Sequence, residues 1–490
     1  MSTPIDLSTP AGATLALLPE LLLTGWALVV LLVVGWRHRT AQDMRLVGVL
    51  SLVGYLLAGA GTAYLAAIGA HPDGLAMMVA LDGFRFASDA LLLGIGFAIT
   101  IMSLRWLERQ GILAPEYYVL LMLATVGMML LAGSVDMTTL FLGLEVMSIS
   151  VYVLAGYDRT RRASAEAALK YFLIGAFASG FLLYGIALTY GATGQFNFAL
   201  IGAQLASTPP TLMAKFGMGL LLVGFAFKVA AVPFHLWTHD VYQGAPTAVT
   251  GFMAAGAKIA GFAALLRVFS TAFPSLAVDM TDILWALSAL TMIGGNLLAI
   301  SQSDIKRMLA YSSIAHAGYI LMAFVPYGNP DVAPVSIAAG LFYLVAYAIT
   351  NFGAWGVVIA MEKSEGRGLA ISDYAGLAKK HPVLAAAMTV FMLSLIGFPP
   401  TLGLVGKFYL FRAVLSGGFV WLAVIGVVTS LISAYYYLRV VVTMYMHEGE
   451  PTVEREFWLE LTWGAAALVT VILSFVPQAL FVMASSALLK

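Results

Sequence analysis

Apolar residues run along this chain in stretches of about twenty, bounded by polar residues or Pro/Gly clusters, the length of a helix that crosses the ~30 Å hydrocarbon core of a bilayer. Fourteen such stretches are read, at about 15–36, 46–68, 87–107, 117–134, 137–157, 165–190, 211–235, 245–269, 281–300, 307–326, 335–361, 382–416, 418–446 and 457–486. The stretches 335–361 and 382–416 divide in more than one way, so thirteen and fifteen spans are the neighbouring readings. The first begins near Leu15 with no basic residue ahead of it and extends to Trp36. It is too long for a secretory h-region and lacks the positive n-region, so it is expected to be a retained helix. The predicted fold is an all-α polytopic membrane protein of about 14 transmembrane helices.

Composition agrees. The chain is 61% hydrophobic and 10% charged, with a mean hydropathy of +0.93, whereas globular domains carry about 25% charged residues. A soluble fold is excluded, and spans plus short loops fill the 490 residues without room for a separate soluble domain. The formal net charge of zero gives no bias toward nucleic acid or an acidic substrate. With no cysteine, neither an iron–sulfur cluster nor a thiolate zinc site is expected in this chain. Of seven histidines only His235, His239 and His316 lie in or beside apolar stretches, which speaks against a membrane haem with paired histidine ligands.

Lysine and arginine are retained on the cytoplasmic side of membrane proteins. With the N-terminus outside, fifteen basic residues fall in cytoplasmic loops, among them Arg37, Arg39, Arg45, Arg109, Arg161, Lys306, Arg307, Lys379, Lys380 and Arg455. Only Arg85, Lys215, Arg267, Arg412 and Lys490 fall opposite. Both termini are therefore expected on the periplasmic side. The remaining five, Lys170, Lys228, Lys258, Lys407 and Arg439, fall within spans.

A charge at the bilayer centre costs at least ~2.5–3.5 kcal/mol, so such groups pair, face the protein interior and mark ion paths. Lys228, Lys258, Lys407 and Glu145 are near mid-span by residue count, too deep for a lysine to reach the interface. Lys170 and Arg439 lie nearer span ends, where snorkelling is the plainer account; for Glu145 the plainer account is a carboxylate tying two helices together. Pro233 follows Lys228 by five residues, and Pro399 and Pro400 precede Lys407 by eight and seven. Proline removes an intrahelical hydrogen bond and clashes with the preceding turn, so both helices should break beside a buried lysine. Backbone freed at membrane depth is tolerated where protein or a hydrated cavity satisfies it, as in transporters.

Pro233 and Pro399 are 166 residues apart, close to the 164 between the starts of the stretches at 117 and 281. Each break then falls in the fourth helix of a five-helix unit, and because five is odd the two units start on opposite faces. The expected organisation is three N-terminal helices (1–116), two inverted five-helix repeats (117–270 and 279–446) and a C-terminal helix (447–490).

With Glu145, two lysine-bearing broken helices and this repeat, the chain resembles the antiporter-like membrane subunits of NADH:quinone oxidoreductase (complex I) and the related Mrp-type cation/proton antiporters. The strings AEAALKYFLIGAFASGFLLYGIALTYGATG (165–194), KVAAVPFHLWTHDVYQGAP (228–246), KRMLAYSSIAHAGYIL (306–321) and GFPPTLGLVGKFYLF (397–411) are similar to the N-type subunits. M-type subunits typically carry glutamate at the position of Lys407, and L-type subunits add a long lateral helix. His239 departs from the family's usual proline.

The resemblance implies a proton-translocating subunit whose NADH oxidation and quinone reduction occur elsewhere, on FMN, iron–sulfur clusters and quinone held by other subunits. It implies an inner-membrane location, neighbouring M, J and K subunits and, through them, the peripheral arm. It assigns Glu145 and Lys228 as an input pair, with Lys258 and Lys407 continuing the path. His316 is either a relay between two half-channels or a hydrogen-bonded packing histidine; His235 is either part of the path or a cap on the broken backbone. Glu166, one turn from Lys170, is either a point of proton access or half of a local pair. The alternatives at the level of the whole chain are an Mrp-type antiporter subunit and a structural scaffold whose charges set helix register.

Overall fold

The computed structural model describes residues 3–38, 40–73, 78–363 and 367–486; Arg39 and Lys490, counted above in the charge asymmetry, lie outside them. A strand β1 (Thr3–Asp6) and a short helix α1 (Pro10–Ala16) precede three long helices, α2 (Leu18–Trp36), α3 (Ala41–Ala67) and α4 (Gly83–Arg109). Strand β2 (Ala70–Asp73), after α3, pairs in parallel with β1. Next come α5 (Glu116–Gly133), α6 (Met137–Ala155), α7 (Arg162–Thr193), the short α8 (Phe198–Ser207), α9 (Leu212–Val229), α10 (Thr238–Gly244), α11 (Thr247–Phe252) and α12 (Lys258–Ala272). The C-terminal half holds α13 (Ala277–Ile300), α14 (Ile305–Met322), α15 (Ala333–Met361), α16 (Leu377–Lys380), α17 (Pro382–Ile396), α18 (Leu402–Ser416), α19 (Val420–Met446), α20 (Phe457–Ile472) and α21 (Pro477–Ser486).

Among the described residues thirteen helical segments are long and apolar enough to cross a membrane. The stretch 382–416 is not among them because it is divided into α17 and α18, 15 residues each. The expected fourteen crossings thus correspond to these thirteen segments and the one divided between α17 and α18. Helix starts are punctuated by side-chain caps: Thr40 with Asp43 in a capping box, then Asp82, Asp136, Thr211 and Asp304. Short backbone bridges join helix ends that share a face, Val79 with Ser134 and Asp136 with Asn197 on the face where α2 starts (the near face), and Asp304 with Ala370 on the opposite, far face.

Within a bilayer helices associate through close packing rather than through exclusion of water, and small residues let backbones approach. A Cβ placed on Gly143 of α6 would fall 2.5 Å from the Leu131 nitrogen of α5, and one on Gly295 of α13 would fall 2.5 Å from the Ala315 nitrogen of α14. The rim of the molecule is apolar, with Leu32, Phe177, Leu212, Leu431 and Leu468 among the exposed side chains.

Three basic residues assigned to loops are not solvated. Arg85, Arg267 and Lys306 are 0%, 3% and 0% exposed. Lys306 lies in the first turn of α14 and donates to the Ala245 carbonyl (2.6 Å). Arg85 and Arg267 are ion-paired inside the bundle. Position in a short loop says only that a residue is near a helix end; partners from distant helices draw the charge inward. The stretch 457–486 is also interrupted, α20 giving way to a turn at Leu473–Phe475 before Pro477 opens α21.

Candidate functional site

Lys228 is in the last turn of α9, which ends where Ala230 adopts a left-handed conformation (φ 62°) ahead of Pro233. The freed backbone finds partners: the Val232 N–H donates to Thr291 Oγ1 (2.9 Å), and Trp237 Nε1 donates to the Phe227 carbonyl (3.1 Å). Lys228 is buried and its ammonium donates to Ser148 Oγ on α6 (2.7 Å), 5.4 Å from the centre of the Tyr152 ring and 5.8 Å from that of Tyr171. Glu145 is on the same helix, one turn before Ser148; its Oε1 is buried without a hydrogen-bond partner among the described residues. No ion pair joins Glu145 to Lys228 among the described residues; the Ser148 hydroxyl, not the carboxylate, occupies the ammonium. His235, beside the break, is also buried, and its Nδ1 has no hydrogen-bond partner among the described residues.

A π-helical turn, Met253–Ala257, leads directly into Lys258, the type of helical irregularity that frequently accompanies functional positions. Gly261, one turn further on, lets α12 lie against α9: a Cβ there would meet that of Lys228 at 3.8 Å. The Lys258 ammonium donates to the Ser313 carbonyl of α14. From Ser313 a string of hydroxyls continues. Tyr347 donates to Ser313 Oγ (2.8 Å) and accepts from Asn351 (2.9 Å); its ring lies 5.1 Å from that of His316. His316 Nδ1 is 2.6 Å from the Tyr343 hydroxyl and Nε2 is 3.2 Å from that of Tyr437. Tyr319, packed edge-on to His316 at 5.6 Å, carries the Lys407 ammonium over its ring at 4.6 Å.

Lys407 itself is the sixth residue of α18, across the break from α17. Its three donors are matched by the Leu395 carbonyl (3.0 Å), the Ile396 carbonyl (2.8 Å) and Ser430 Oγ (2.7 Å). The two carbonyls are those released where α17 stops at Gly397 (φ 88°), so the cation sits at the negative end of a half-helix dipole. Gly397 is needed there twice over, for its left-handed backbone and because a Cβ would lie 2.9 Å from Lys407 Cδ.

On the far face the local pair expected of Glu166 and Lys170 is present at 2.7 Å. Lys170 also pairs with Asp240 (2.8 Å), which holds Arg307 (3.0 Å) and lies 3.3 Å from His239. Glu166, Lys170 and Asp240 line a cavity of about 350 Å³. Arg439 donates to the Ile300 carbonyl (3.1 Å) and to that of Gln302, closing the end of α13.

The structure therefore brings Lys258, His316 and Lys407 into one buried string and sets Lys228 with Glu145 beside it. It leaves Glu166 apart from that string, in the far-face cluster. Sequence reasoning missed the hydroxyls, Ser148, Tyr319, Tyr343, Tyr347 and Tyr437, and missed Asp240. The signal for the hydroxyls was a run of polar groups in apolar helices, as in YSSIAH at 311–316 and the tyrosines at 435–437. Among the described residues no group of three or more His, Cys, Asp or Glu could hold a metal ion.

A family model described as NADH:quinone oxidoreductase/Mrp antiporter, TM, matches residues 134–433, more than half the chain. The chain belongs to this family. Both breaks and the residues of the string from Lys258 to Lys407 lie within the matched segment; Tyr437 lies just beyond it. Among curated relatives, NADH-quinone oxidoreductase subunit N of Trichlorobacter lovleyi is 47% identical over 425 residues, 86% of this chain and 85% of that one. Subunit N of Chloroflexus aggregans is 41% identical over 491 residues, 99% of both chains. Of solved structures, a chain of respiratory complex I from Thermus thermophilus, with bound aureothin, is 33% identical with a TM-score of 0.80 and covers 96% of this chain and 100% of that one. A chain of the Mrp complex from Dietzia sp. is 22% identical with a TM-score of 0.82, covering 98% and 97%; at that identity the likeness is one of fold. The chain is a multi-pass membrane protein of this family.

Proposed function

We infer that this chain is an antiporter-like, proton-translocating subunit of respiratory NADH:quinone oxidoreductase, of the N type, coupling electron transfer performed by other subunits to proton movement. The observation that carries the path is the buried string from Lys258 through Ser313, Tyr347 and His316 toward Lys407, running between two broken helices. Hydroxyls and an imidazole are groups that both give and accept protons, which a string serving only to set helix register would not require. The likeness to Mrp antiporters under 25% identity favours no second reading.

Glu145 and Lys228 form the input. Burial favours the neutral form of a lysine and a nearby carboxylate favours the charged form, so displacement of Glu145 relative to Lys228 biases proton release toward Lys258. A pair at 4 Å is worth about 4 kcal/mol at an effective dielectric of 20, against about 2.3 kcal/mol for one charge crossing 100 mV; the switch is strong enough to work against the membrane potential. His316 relays between the Lys258 and Lys407 halves, Lys407 takes the proton onward, and the far-face cavity at Glu166, Lys170 and Asp240 is the point of access. The two broken helices belong to inverted five-helix repeats, 117–270 and 279–446.

The chain sits in the bacterial inner membrane with the near face and both termini periplasmic. Subunits M, J and K adjoin it and connect it to the peripheral arm, where FMN and the iron–sulfur clusters reside. Two experiments test this. Extracted in mild detergent, the protein is expected to migrate with an NADH-oxidising, flavin-containing assembly; isolation as a self-sufficient homo-oligomer exchanging sodium for protons would sink the assignment. A single cysteine introduced near Lys379 is expected to be labelled from the cytoplasmic side only. The chain has no native cysteine to obscure the result, and labelling from outside would invert the topology.

A further inference from the structure

Five ionisable side chains outside the string meet in the near-face half of the bundle. Arg85 of α4 is fully buried; its Nη2 donates to both oxygens of Glu20 on α2 (2.8 and 2.9 Å) and to the Ala16 carbonyl (2.9 Å), and its Nη1 donates to the Ala80 carbonyl (2.7 Å). Arg267, on α12, donates to both oxygens of Asp82 (2.6 and 3.0 Å) and to the Ala132 carbonyl (3.2 Å). Each guanidinium therefore has its own carboxylate. The fifth member, Asp89, is 0% exposed one turn beyond Arg85. Arg85 Nε is 3.4 Å from its Oδ2 but out of hydrogen-bonding alignment, and neither Asp89 oxygen has a hydrogen-bond partner among the described residues. The other charges of the helices packed around it are held elsewhere: Asp43 and Arg45 of α3, Arg105 and Arg109 of α4 and Glu116 of α5 are at the far-face ends, and Lys258 of α12 donates to the Ser313 carbonyl.

Three carboxylates against two guanidinium groups leave one negative charge without a counterpart, buried at membrane depth, where an unpaired ion is strongly disfavoured. We propose that this cluster is a proton-binding site, with one exchangeable proton carried on Asp89. Glu20 is engaged by Arg85 through both oxygens and Asp82 by Arg267 through both, so Asp89 is the member free to hold the proton. Asp82, whose side chain is 17% exposed, is the end of the cluster that reaches the near face. On release the Asp89 O–H bond breaks and the proton passes to that face by way of the Asp82 end. The site is joined to the proposed path by a rigid element: Arg267 and Lys258 are on the same helix, nine residues or ~13.5 Å apart at 1.5 Å per residue.

The test is infrared spectroscopy of the intact complex, comparing native enzyme with Asp89→Asn and Glu20→Gln variants. The native complex is expected to show a protonated-carboxyl C=O band that shifts in D2O and is missing from Asp89→Asn, with complex content unchanged because asparagine copies the neutral form. Glu20→Gln equalises the charges, so Asp89 should ionise against Arg85 and the same band should vanish although Asp89 is present. A spectrum identical in native and Asp89→Asn enzyme, a band that never shifts in D2O, or a band that persists in Glu20→Gln would overturn the proposal. So would a native complex without the band whose carboxylate absorption changes when sodium is replaced by choline, which would make the occupant a sodium ion.

Discussion

Lys407→Arg is expected to assemble into the complex yet lower NADH-driven proton pumping by about 100-fold or more, the lower end of what a positioned proton-transferring group contributes. Two roles compete at this position. The ammonium caps carbonyls released where α17 ends, donating to Leu395 and Ile396, and a guanidinium would keep that charge and supply donors. A proton carrier must also become neutral, which arginine scarcely does in a protein. Pumping in inverted membrane vesicles, normalised to antibody-detected complex content, separates the two. A melting transition equal to that of the native complex shows that the larger side chain has not failed merely for want of room beside Gly397. Full pumping by assembled Lys407→Arg would remove any obligatory deprotonation there and leave the residue an electrostatic one.

Glu145→Ala and Lys228→Ala are each expected to reduce pumping and coupled quinone reductase activity together, by about 100-fold or more, while NADH oxidation by an artificial acceptor that bypasses the quinone step continues. Lys228 is held by the Ser148 hydroxyl rather than by the Glu145 carboxylate, and Glu145 Oε1 has no hydrogen-bond partner among the described residues, as the proposed switch requires. If the two residues only tied α6 to α9, their loss would show as less complex rather than as slower complex, so content is measured beside rate. Arg455→Ala is the control, since Arg455 is an exposed charge, and it should leave both activities unchanged. Normal pumping in assembled Lys228→Ala would exclude that lysine from the path.

Much of this protein was legible in the sequence because a bilayer imposes simple rules. Apolar runs of about twenty residues can only be spans, prolines within them must open the helix, and a lysine at that depth needs a reason. Hence the spans, the breaks at Pro233 and at Pro399 and Pro400, and the residues Glu145, Lys228, Lys258, His316 and Lys407 were all read from residue types and spacing. The tertiary structure alone decided which of them meet. Whether Lys228 faces a carboxylate or a hydroxyl depends on the rotation of α6 against α9, set by packing that no local pattern encodes. The tyrosines joining Lys258 to His316 come from α15 and α19, distant in sequence, and are ordinary apolar-helix residues until their hydroxyls converge. Arg85, Arg267 and Lys306 read as loop charges because sequence distance to a helix end measures depth, not burial; their partners, Glu20, Asp82 and the Ala245 carbonyl, are supplied by elements the chain reaches 61 to 185 residues away.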